Sequence, residues 1–441
     1  MVAMRHFIVT VIGRLVRFGA RLRGGGSALP GLVVERLDAG YLARVLADLP
    51  AGVVAISGTN GKTTTTKMVV ELLQSQGFKV FTNKTGSNFS RGIIAAALGE
   101  CDWRGKLDAD IAVLELDEAH AMHVIDKVQP RYTLLLNVLR DQLDRFGELD
   151  TTAQLLRRLG AATTQAVVVN QQDPLLAEIG AELVATGAAE VVEFGVAPQL
   201  RGLFPSDQDL HAAEIGAPQH RDSSSDATAL QADVVLQRVA KQEAAYLIDG
   251  QIHQVTLQLD GLYNLFNAAA ALALVRTILR LNGREAVTGE LLGELAQVQP
   301  AFGRGEKLTL DGQPLELVLV KNPAGFRLGL ASFDPAEVAV MIAINDQYAD
   351  GRDMSWLWDV DFSSLAAEGV DTVSGVRAWD MTLRLEHDDV YVRQTVPNLA
   401  QALSSFRAAT SGKNRRIYCT YTAMLELREK LAELTEVENI W

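Results

Sequence analysis

The chain is poor in cysteine and in positive charge. Only Cys101 and Cys419 occur among 441 residues, far apart and outside any C-x-x-C pair. Disulfide-stapled domains and four-cysteine zinc sites need more thiols, so the composition excludes both, predicts no zinc and fits a reducing compartment. Asp and Glu outnumber Lys and Arg by 54 to 41, a formal net charge of −13. A general nucleic-acid binder would show the opposite balance.

Long apolar runs are also missing. No stretch of about 20 uninterrupted apolar residues occurs, so no segment is expected to span a membrane. The segment from Arg5 to Arg23 interleaves apolar residues with arginines and lacks the small-residue cleavage site of a signal peptide. It is either a basic amphipathic helix on an anionic membrane surface or a helix packed on the body of the protein. We expect a cytoplasmic protein, with a peripheral position at the inner face of the plasma membrane left open.

One stretch, from Val53 to Thr66, carries the clearest chemical signal. An apolar β-branched run predicts a buried strand, two glycines predict a turn, and the following pattern predicts a helix to about Gly77. A glycine loop at a helix N-terminus can surround phosphate oxygens, with Lys62 on the β- and γ-phosphates and the Thr63 hydroxyl on Mg²⁺. The predicted nucleotide-binding residues are Gly58, Thr59, Asn60, Gly61, Lys62, Thr63 and Thr64. The spacing is shorter than in the common motif, and a plain strand-to-helix turn is the alternative.

Predicted strands and helices alternate along most of the chain. This order predicts an α/β fold with a mostly parallel sheet and helices on both faces, and the length favours two domains. A polar stretch at about 200–232 interrupts the pattern, and a hinge is expected at 300–306. We predict an N-terminal helical lead-in over residues 1–50, a nucleotide-binding domain over 51–302 and a smaller Rossmann-like α/β domain over 303–441.

Polar residues follow several predicted strands, where parallel sheets bind their ligands. Glu115 can hold a metal ion or orient a water. The segment 137–144, which contains Asn137 and Asp141, offers an amide and two acids for Mg²⁺ or phosphate. Asn170 and Asp173 can hold adenosine. The alternatives are an exposed strand-end carboxylate, a helix cap with solvated charges, and a bare turn.

Together these motifs resemble the ATPase core of the Mur ligases. The matching segments are 58–64, Glu115, 137–144, 170–173, 263–267 and 303–306. Mur ligases use ATP to form an acyl phosphate on a carboxylate, which an amine then attacks. The resemblance implies that Lys62 and Thr63 hold ATP and Mg²⁺ and that Glu115 and Asp141 complete the metal and carboxylate site. It implies further nucleotide contacts by Asn137, Asn170, Asp173, Asn264, Asn267 and Arg304.

The segments 85–92, 140–145, 321–326 and 345–359 are similar to one branch, the MurT family of lipid II isoglutaminyl synthase subunits. This resemblance implies amidation of the α-carboxylate of D-glutamate in the lipid II stem peptide, with ammonia from a GatD-type glutaminase subunit. Neither cysteine lies in a glutaminase-like setting, so the use of glutamine would require a second chain. The resemblance also implies that one Asp of this chain orients the glutaminase histidine across the interface. Asp353 is our choice, with Asp350 and Asp359 as alternatives.

The sequence departs from the family pattern at two places. The zinc ribbon of many relatives has no counterpart near 200–232, and Gln142 stands where Mur ligases often have a histidine. Two rival functions remain open: a stand-alone Mur-like or folylpolyglutamate-like amino-acid ligase, and an ATP-binding scaffold that regulates a partner. The Asp350–Asp353 turn and the short segment before the phosphate-binding loop weigh against the first. The intact Lys62 and Glu115 weigh against the second.

Overall fold

The computed structural model describes residues 2–22, 29–83, 89–139, 149–204, 232–240, 242–259, 261–299, 304–331, 335–351 and 353–437. The chain forms two compact units. The first comprises Met1–Val138, Leu149–Gln258 and Tyr263–Val298, and the second comprises Leu139–Glu148, Leu259–Leu262 and Gln299–Trp441. Each unit has its own sheet and hydrophobic core. Most of the polar stretch predicted at about 200–232 lies outside the described residues.

A nine-stranded sheet of order β2-β3-β1-β4-β5-β6-β7-β8-β9 organises the first unit. Its strands are β1 Gly52–Ser57, β2 Val80–Thr82, β3 Ile111–Glu115, β4 Tyr132–Leu135, β5 Ala166–Asn170, β6 Glu190–Val196, β7 Val234–Ala240, β8 Glu243–Ile248 and β9 Gln251–Thr256. The pairs from β2 to β7 are parallel, and β8 and β9 add two antiparallel pairs. β1, β3, β4 and β5 are buried along their whole length, which explains their continuous apolar runs.

Helices pack on this sheet and on one another. They are α1 Val2–Leu22, α2 Leu29–Leu37, α3 Tyr41–Ala47, α4 Lys62–Ser75, α5 Ser90–Glu100, α6 Glu118–Ile125, α7 Leu149–Ala161, α8 Pro174–Thr186, α9 Leu262–Leu281 and α10 Thr288–Leu295. α4 packs on β1, β2 and β3, and α1 packs on α2 and α5. By length and composition α9 could cross a membrane, but 78% of its most apolar window is buried inside the protein. This burial is typical of a helix in the core of a protein.

The second unit is built on a five-stranded sheet of order β10-β11-β14-β12-β13. Its strands are β10 Arg304–Leu310, β11 Gln313–Leu319, β12 Val338–Ala343, β13 Thr372–Ser374 and β14 Asn414–Cys419. Its helices are α11 Pro323–Ala331, α12 Ala378–His387, α13 Leu399–Ala409 and α14 Tyr421–Ala432, with 3-10 turns at Pro335–Glu337, Ser355–Asp359 and Ser363–Leu365. β10 and β11 form an antiparallel hairpin, and the other pairs are parallel.

The predicted α/β class is confirmed, but two element boundaries are wrong. The alanine-rich pattern of the sequence predicts a helix from Ala268 to Arg280, but the helix begins at Leu262, so Asn264 and Asn267 lie inside it. Burial of Leu265 and Phe266 extends the helix beyond its alanine-rich part. Of the segment predicted as a hinge at 300–306, residues 300–303 lie outside the described residues, and the part from Arg304 onward is strand β10 because it pairs with β11.

Candidate active site

The loop of residues 58–61 connects the end of β1 to the start of α4, and β1 lies between β3 and β4. Gly58 and Gly61 have φ angles of +132° and +86°, which residues with a side chain rarely adopt. A Cβ on Gly58 would lie 2.9 Å from the backbone nitrogen of Asn137, and one on Gly61 would lie 2.7 Å from Oδ1 of Asn267. The glycines therefore allow a close approach of backbone that a phosphate-binding turn needs.

Asn137, which follows β4, holds this loop in place. Its Oδ1 accepts a hydrogen bond from the Asn60 backbone N–H at 2.8 Å, and its Nδ2 donates to the Asn60 carbonyl at 3.0 Å. Its own carbonyl accepts from the Thr59 N–H at 3.0 Å. A side-chain amide that pairs with both backbone groups of one residue fixes the conformation of the loop. The predicted contact of Asn137 with a nucleotide stays a prediction.

Lys62 begins α4 and is buried. Its Nζ donates hydrogen bonds to the carbonyl of Gly58 and, at 3.2 Å, to that of Thr59. The same Nζ lies 3.4 Å from both carboxylate oxygens of Glu118, the buried first residue of α6. Glu118 is a site residue that the sequence motifs do not predict. The available signal was the acidic pair Asp117-Glu118 directly after a predicted strand, at the edge where such sheets bind ligands.

Thr63 and Glu115 form a second polar contact in the first turn of α4. Thr63 Oγ1 donates a hydrogen bond to Glu115 Oε1 at 2.9 Å. Asn83, just after β2, holds the Glu115 backbone: its Oδ1 accepts from the Glu115 N–H at 3.0 Å and its Nδ2 donates to the Glu115 carbonyl at 2.9 Å. Asn83 is a second residue whose role the sequence analysis missed. Its amide pairs with a strand one place over in the sheet, a contact with no local signal.

These groups fit ATP and Mg²⁺ by the chemistry of their donors. The hydroxyl of Thr63 and the carboxylate of Glu115 are the hard oxygen ligands that Mg²⁺ prefers. Among the described residues, no group of three or more His, Cys, Asp or Glu is arranged as a metal site. Mg²⁺ commonly keeps waters and substrate oxygens as most of its ligands, so a site can use as few as one or two protein oxygens. Thr64 is buried in the same turn of α4.

Asn170 and Asp173 are both buried at the end of β5 and the start of α8. Asn170 Nδ2 donates to the Leu136 carbonyl at 2.8 Å. Asp173 Oδ1 accepts from the Leu175 N–H at 3.0 Å and so caps α8, while its Oδ2 accepts from the Val138 N–H at 2.6 Å. Both side chains thus tie the loop after β4 to the loop after β5. Their predicted contact with adenosine stays a prediction.

The start of α9 combines amides with an aromatic cluster. Asn267 is buried beside Gly61, and Asn264 lies half-buried one turn earlier. Phe204 packs against Tyr263 and Phe266, with ring centroids 5.4 and 5.2 Å apart. Burial raises the pKa of Tyr263 above its usual range, so its phenol stays neutral. The predicted nucleotide contacts of Asn264 and Asn267 stay predictions.

Two predicted site residues have no described side chain. Asp141 lies within 140–148, outside the described residues. Arg304 begins β10 in the second unit, and only its backbone is described. The roles predicted for both stay predictions.

The three candidate acids of the second unit differ in their surroundings. Asp350 is buried and accepts hydrogen bonds from the Thr422 N–H at 2.7 Å and the Thr422 hydroxyl at 2.5 Å, at the start of α14. Asp353 is half-buried; its Oδ1 accepts from the Ser355 N–H at 3.0 Å, and hydrogen bonding to Ser355 lowers its pKa. Asp359 is half-buried and ends a 3-10 turn. The geometry gives Asp350 a structural role and leaves Asp353 and Asp359 as the two partly exposed candidates, so the choice of Asp353 stays a prediction.

Two protein families match this chain. The Mur ligase middle domain family matches residues 56–275, and the MurT ligase C-terminal family matches residues 319–424. A protein of Streptococcus pneumoniae (strain ATCC BAA-255 / R6), the lipid II isoglutaminyl synthase (glutamine-hydrolyzing) subunit MurT, is 30% identical over 449 residues. These residues cover 97% of this chain and 94% of that relative. The chain belongs to the MurT family.

Solved Mur ligases share the fold of this MurT family member. MurF from Acinetobacter baumannii superposes with a TM-score of 0.65 and 19% identity, covering 91% of this chain and 81% of that chain. The MurF ligase from Thermotoga maritima in complex with ADP superposes with a TM-score of 0.63 and 16% identity, covering 90% and 84%. The predicted Mur-ligase-like fold is confirmed. Membership in the MurT family confirms the predicted enzyme class, a ligase that forms C–N bonds.

Proposed function

We propose that this chain is the ATP-consuming subunit of a lipid II isoglutaminyl synthase. It amidates the α-carboxylate of D-glutamate in the lipid II stem peptide to give D-isoglutamine. One observation carries the proposal: the pairs Lys62–Glu118 and Thr63–Glu115 meet at the carboxyl edge of a parallel sheet in a chain of the MurT family. The peptidoglycan precursor enters as substrate because the named relative acts in lipid II isoglutaminyl synthesis.

The reaction takes two balanced steps. A carboxylate oxygen attacks the γ-phosphorus of ATP, the bond from that phosphorus to the bridging oxygen breaks, and ADP leaves. Ammonia attacks the acyl carbon of the resulting acyl phosphate and loses a proton, and inorganic phosphate leaves with the electron pair of the C–O bond. Activation is needed because phosphate is a far better leaving group than the oxygen of a free carboxylate.

The residues of this chain act on the first step by position and charge. Lys62 places a cation at the phosphates, where it stabilises negative charge that moves during phosphoryl transfer. Glu118 holds the Lys62 ammonium at the loop, and Asn137 holds the loop itself. Thr63 and Glu115 would hold Mg²⁺, which when bound neutralises phosphate charge.

In this proposal a GatD-type glutaminase subunit supplies the ammonia. The relative from S. pneumoniae is named as a subunit of a glutamine-hydrolysing enzyme. Cys101 and Cys419 are both buried, and burial raises the pKa of each thiol, so neither is suited to attack glutamine. Asp353 would orient the histidine of the partner's catalytic Cys-His pair. We place the complex in the cytoplasm, where ATP is available.

The test is reconstitution with the glutaminase candidate. Lipid II is incubated with both proteins, ATP, Mg²⁺ and glutamine, and the product is analysed by mass spectrometry. We expect the mass change of one amidation, and we expect it only in the complete mixture. If ATP is hydrolysed and lipid II stays unchanged while an added amino acid is joined to a stem peptide, the chain is a stand-alone ligase. If the partner's activity survives the replacement of Lys62 by alanine, which should stop ATP hydrolysis, the chain is a scaffold.

A further inference from the structure

The N-terminal segment has a charge balance opposite to that of the chain as a whole. The first 34 residues contain five arginines and no Asp or Glu, whereas the whole chain carries a formal charge of −13. Most of these residues form α1, which is 21 residues long. A basic helix on an acidic protein is attracted to anionic partners that the rest of the surface repels.

One face of α1 packs on the first unit. Val9 and Thr10 are buried, and the Thr10 hydroxyl lies 3.2 Å from the hydroxyl of Tyr41. A Cβ on Gly13 would lie 2.6 Å from a methyl carbon of Val34, so the helix approaches α2 closely at that point. This packing fixes the orientation of α1 and determines which residues face outward.

The opposite face of α1 is apolar and exposed. The side chains of Phe7, Ile8, Leu15, Phe18 and Leu22 are between 45% and 73% exposed. At about 100° per residue these five positions fall within about one third of the helix circumference, so they lie along one side of the helix. A surface helix of a globular protein normally presents charged residues to water, and contiguous exposed apolar surface marks an interaction site.

Arginines lie beside this apolar face. The Arg14 guanidinium lies 4.5 Å from the ring centroid of Trp103, which is 58% exposed. Arg17 packs over Gly99 of α5 and is partly exposed. An apolar strip next to arginines and an exposed tryptophan is the pattern of a helix that lies in the headgroup region of a membrane.

We propose that α1 and Trp103 dock this protein on an anionic membrane surface, with the apolar face of α1 inserted among the lipids. The proposal rests on the proposed function, because a lipid-linked substrate would have to be met at such a surface. Charge selects the occupant: the five arginines of the first 34 residues favour anionic lipids, and this segment carries no acid that would repel them. Binding of a protein partner or of a second copy of this chain to the same face would contradict the membrane docking.

The first experiment is flotation of the full-length protein with vesicles. Vesicles of phosphatidylcholine with phosphatidylglycerol are compared with vesicles of phosphatidylcholine alone. We expect the protein to float with the anionic vesicles, less in high salt and less with the neutral vesicles. The double variant Leu15→Glu/Phe18→Glu should reduce the floated fraction by about tenfold, because it places two acids on the inserted face. Its melting temperature should match that of the wild type, since both side chains are exposed.

The matched control is Leu203→Glu/Ile252→Glu, which makes the same charge change at exposed apolar sites away from α1. It should float like the wild type. The proposal is overturned if wild-type protein does not float, or if both double variants lose flotation equally. It is also overturned if Leu15→Glu/Phe18→Glu floats normally but changes the oligomeric state or the capture of the glutaminase.

Amidation assays separate this inference from the proposed function. Rates are measured with lipid II in anionic vesicles and with a lipid-free stem peptide as substrate. If α1 docks on membranes, Leu15→Glu/Phe18→Glu amidates lipid II in vesicles more slowly than the wild type does and amidates the soluble peptide at the wild-type rate. If the variant keeps the wild-type rate with both substrates, the docking is contradicted. If wild-type protein amidates neither substrate but still floats, the proposed function is wrong and the membrane docking of α1 is supported.

Discussion

The ammonium nitrogen of Lys62 lies 3.4 Å from both carboxylate oxygens of Glu118, and the two side chains are only 8% and 3% exposed. The residues are 56 positions apart in sequence. They meet because α4 and α6 begin after the neighbouring strands β1 and β3. A buried cation without a counter-charge is unstable, so Glu118 stabilises the lysine at the phosphate-binding loop.

Replacement of Lys62 by alanine should abolish catalysis. We expect Lys62→Ala to lower kcat for ATP-dependent amidation by about 100-fold or more, because it removes a charge that stabilises phosphoryl transfer. Coupled ADP release and product mass spectrometry measure the effect. Lys67→Ala, on the same helix, is the control: Lys67 pairs with Glu71 at the surface and its loss should have little effect. Full activity of Lys62→Ala would remove this loop from the active site.

The Lys62–Glu118 pair should show strong thermodynamic coupling. Glu118→Gln leaves the buried ammonium without its counter-charge, and Lys62→Met leaves the buried carboxylate alone, so each should lower the free energy of unfolding by about 3 kcal/mol. The double variant should cost clearly less than the sum of the two. Urea unfolding of all four proteins measures this cycle. Additive losses would mean that the two groups do not interact in solution.

The oxygen of the Thr63 hydroxyl should be needed for turnover. Thr63→Val keeps the shape of the side chain but removes the donor to Glu115 and the predicted Mg²⁺ ligand, so we expect turnover to fall by about 100-fold and the requirement for Mg²⁺ to rise. Thr63→Ser keeps the oxygen and should stay within a few-fold of the wild type. The assay is kcat as a function of Mg²⁺ concentration. A larger loss in Thr63→Ser than in Thr63→Val would point to packing of the methyl group, which only the valine keeps.

Asp173 should contribute more to the free energy of unfolding than to nucleotide binding. Asp173→Ala removes the cap of α8 and the hydrogen bond to Val138, so we expect a loss of about 2–3 kcal/mol. Asn398, which caps α13 through the Gln401 N–H at 3.0 Å, offers a control in the second unit. Asn398→Ala should cost about 1 kcal/mol and leave ATP affinity unchanged. Thermal unfolding and nucleotide titration of both variants separate the effects; unchanged stability of Asp173→Ala would contradict its capping role.

Local sequence patterns are sufficient to predict the phosphate-binding loop. A buried parallel strand is a continuous apolar run, and the positive φ angles at Gly58 and Gly61 need glycine, so strand, loop and helix start are visible in the sequence. The sequence does not show the antiparallel strands β7 to β9 separately. No residue of the edge strand β9 is buried, so its apolar signal is diluted. Buried strands are therefore easier to find than edge strands.

The site residues that could not be predicted from the sequence are those brought together by the pairing of distant strands. Glu118 begins α6, and an acid in the first turn of a helix is so common that it indicates nothing by itself. Only the adjacency of β1 and β3 shows that it faces Lys62. Asp173 shows the reverse case, because a carboxylate expected at adenosine turns out to bind backbone N–H groups from two elements.

Asp353 should be needed for the use of glutamine and dispensable with free ammonia. Asp353→Asn removes the charge that would orient the partner's histidine, so glutamine-dependent amidation should fall by about 100-fold or more while ammonia-dependent amidation stays unchanged. Asp361→Asn is a matched control, because Oδ1 of the exposed Asp361 accepts from the Ser363 N–H at 2.9 Å in the same kind of turn. Hydrogen bonding to Ser355 lowers the pKa of Asp353, so its carboxylate stays charged at a lower pH than an ordinary aspartate, and the acid limb of the glutamine-dependent rate should arise from another group. If ammonia does not restore Asp353→Asn, the residue serves the synthetase chemistry or the fold of the second unit.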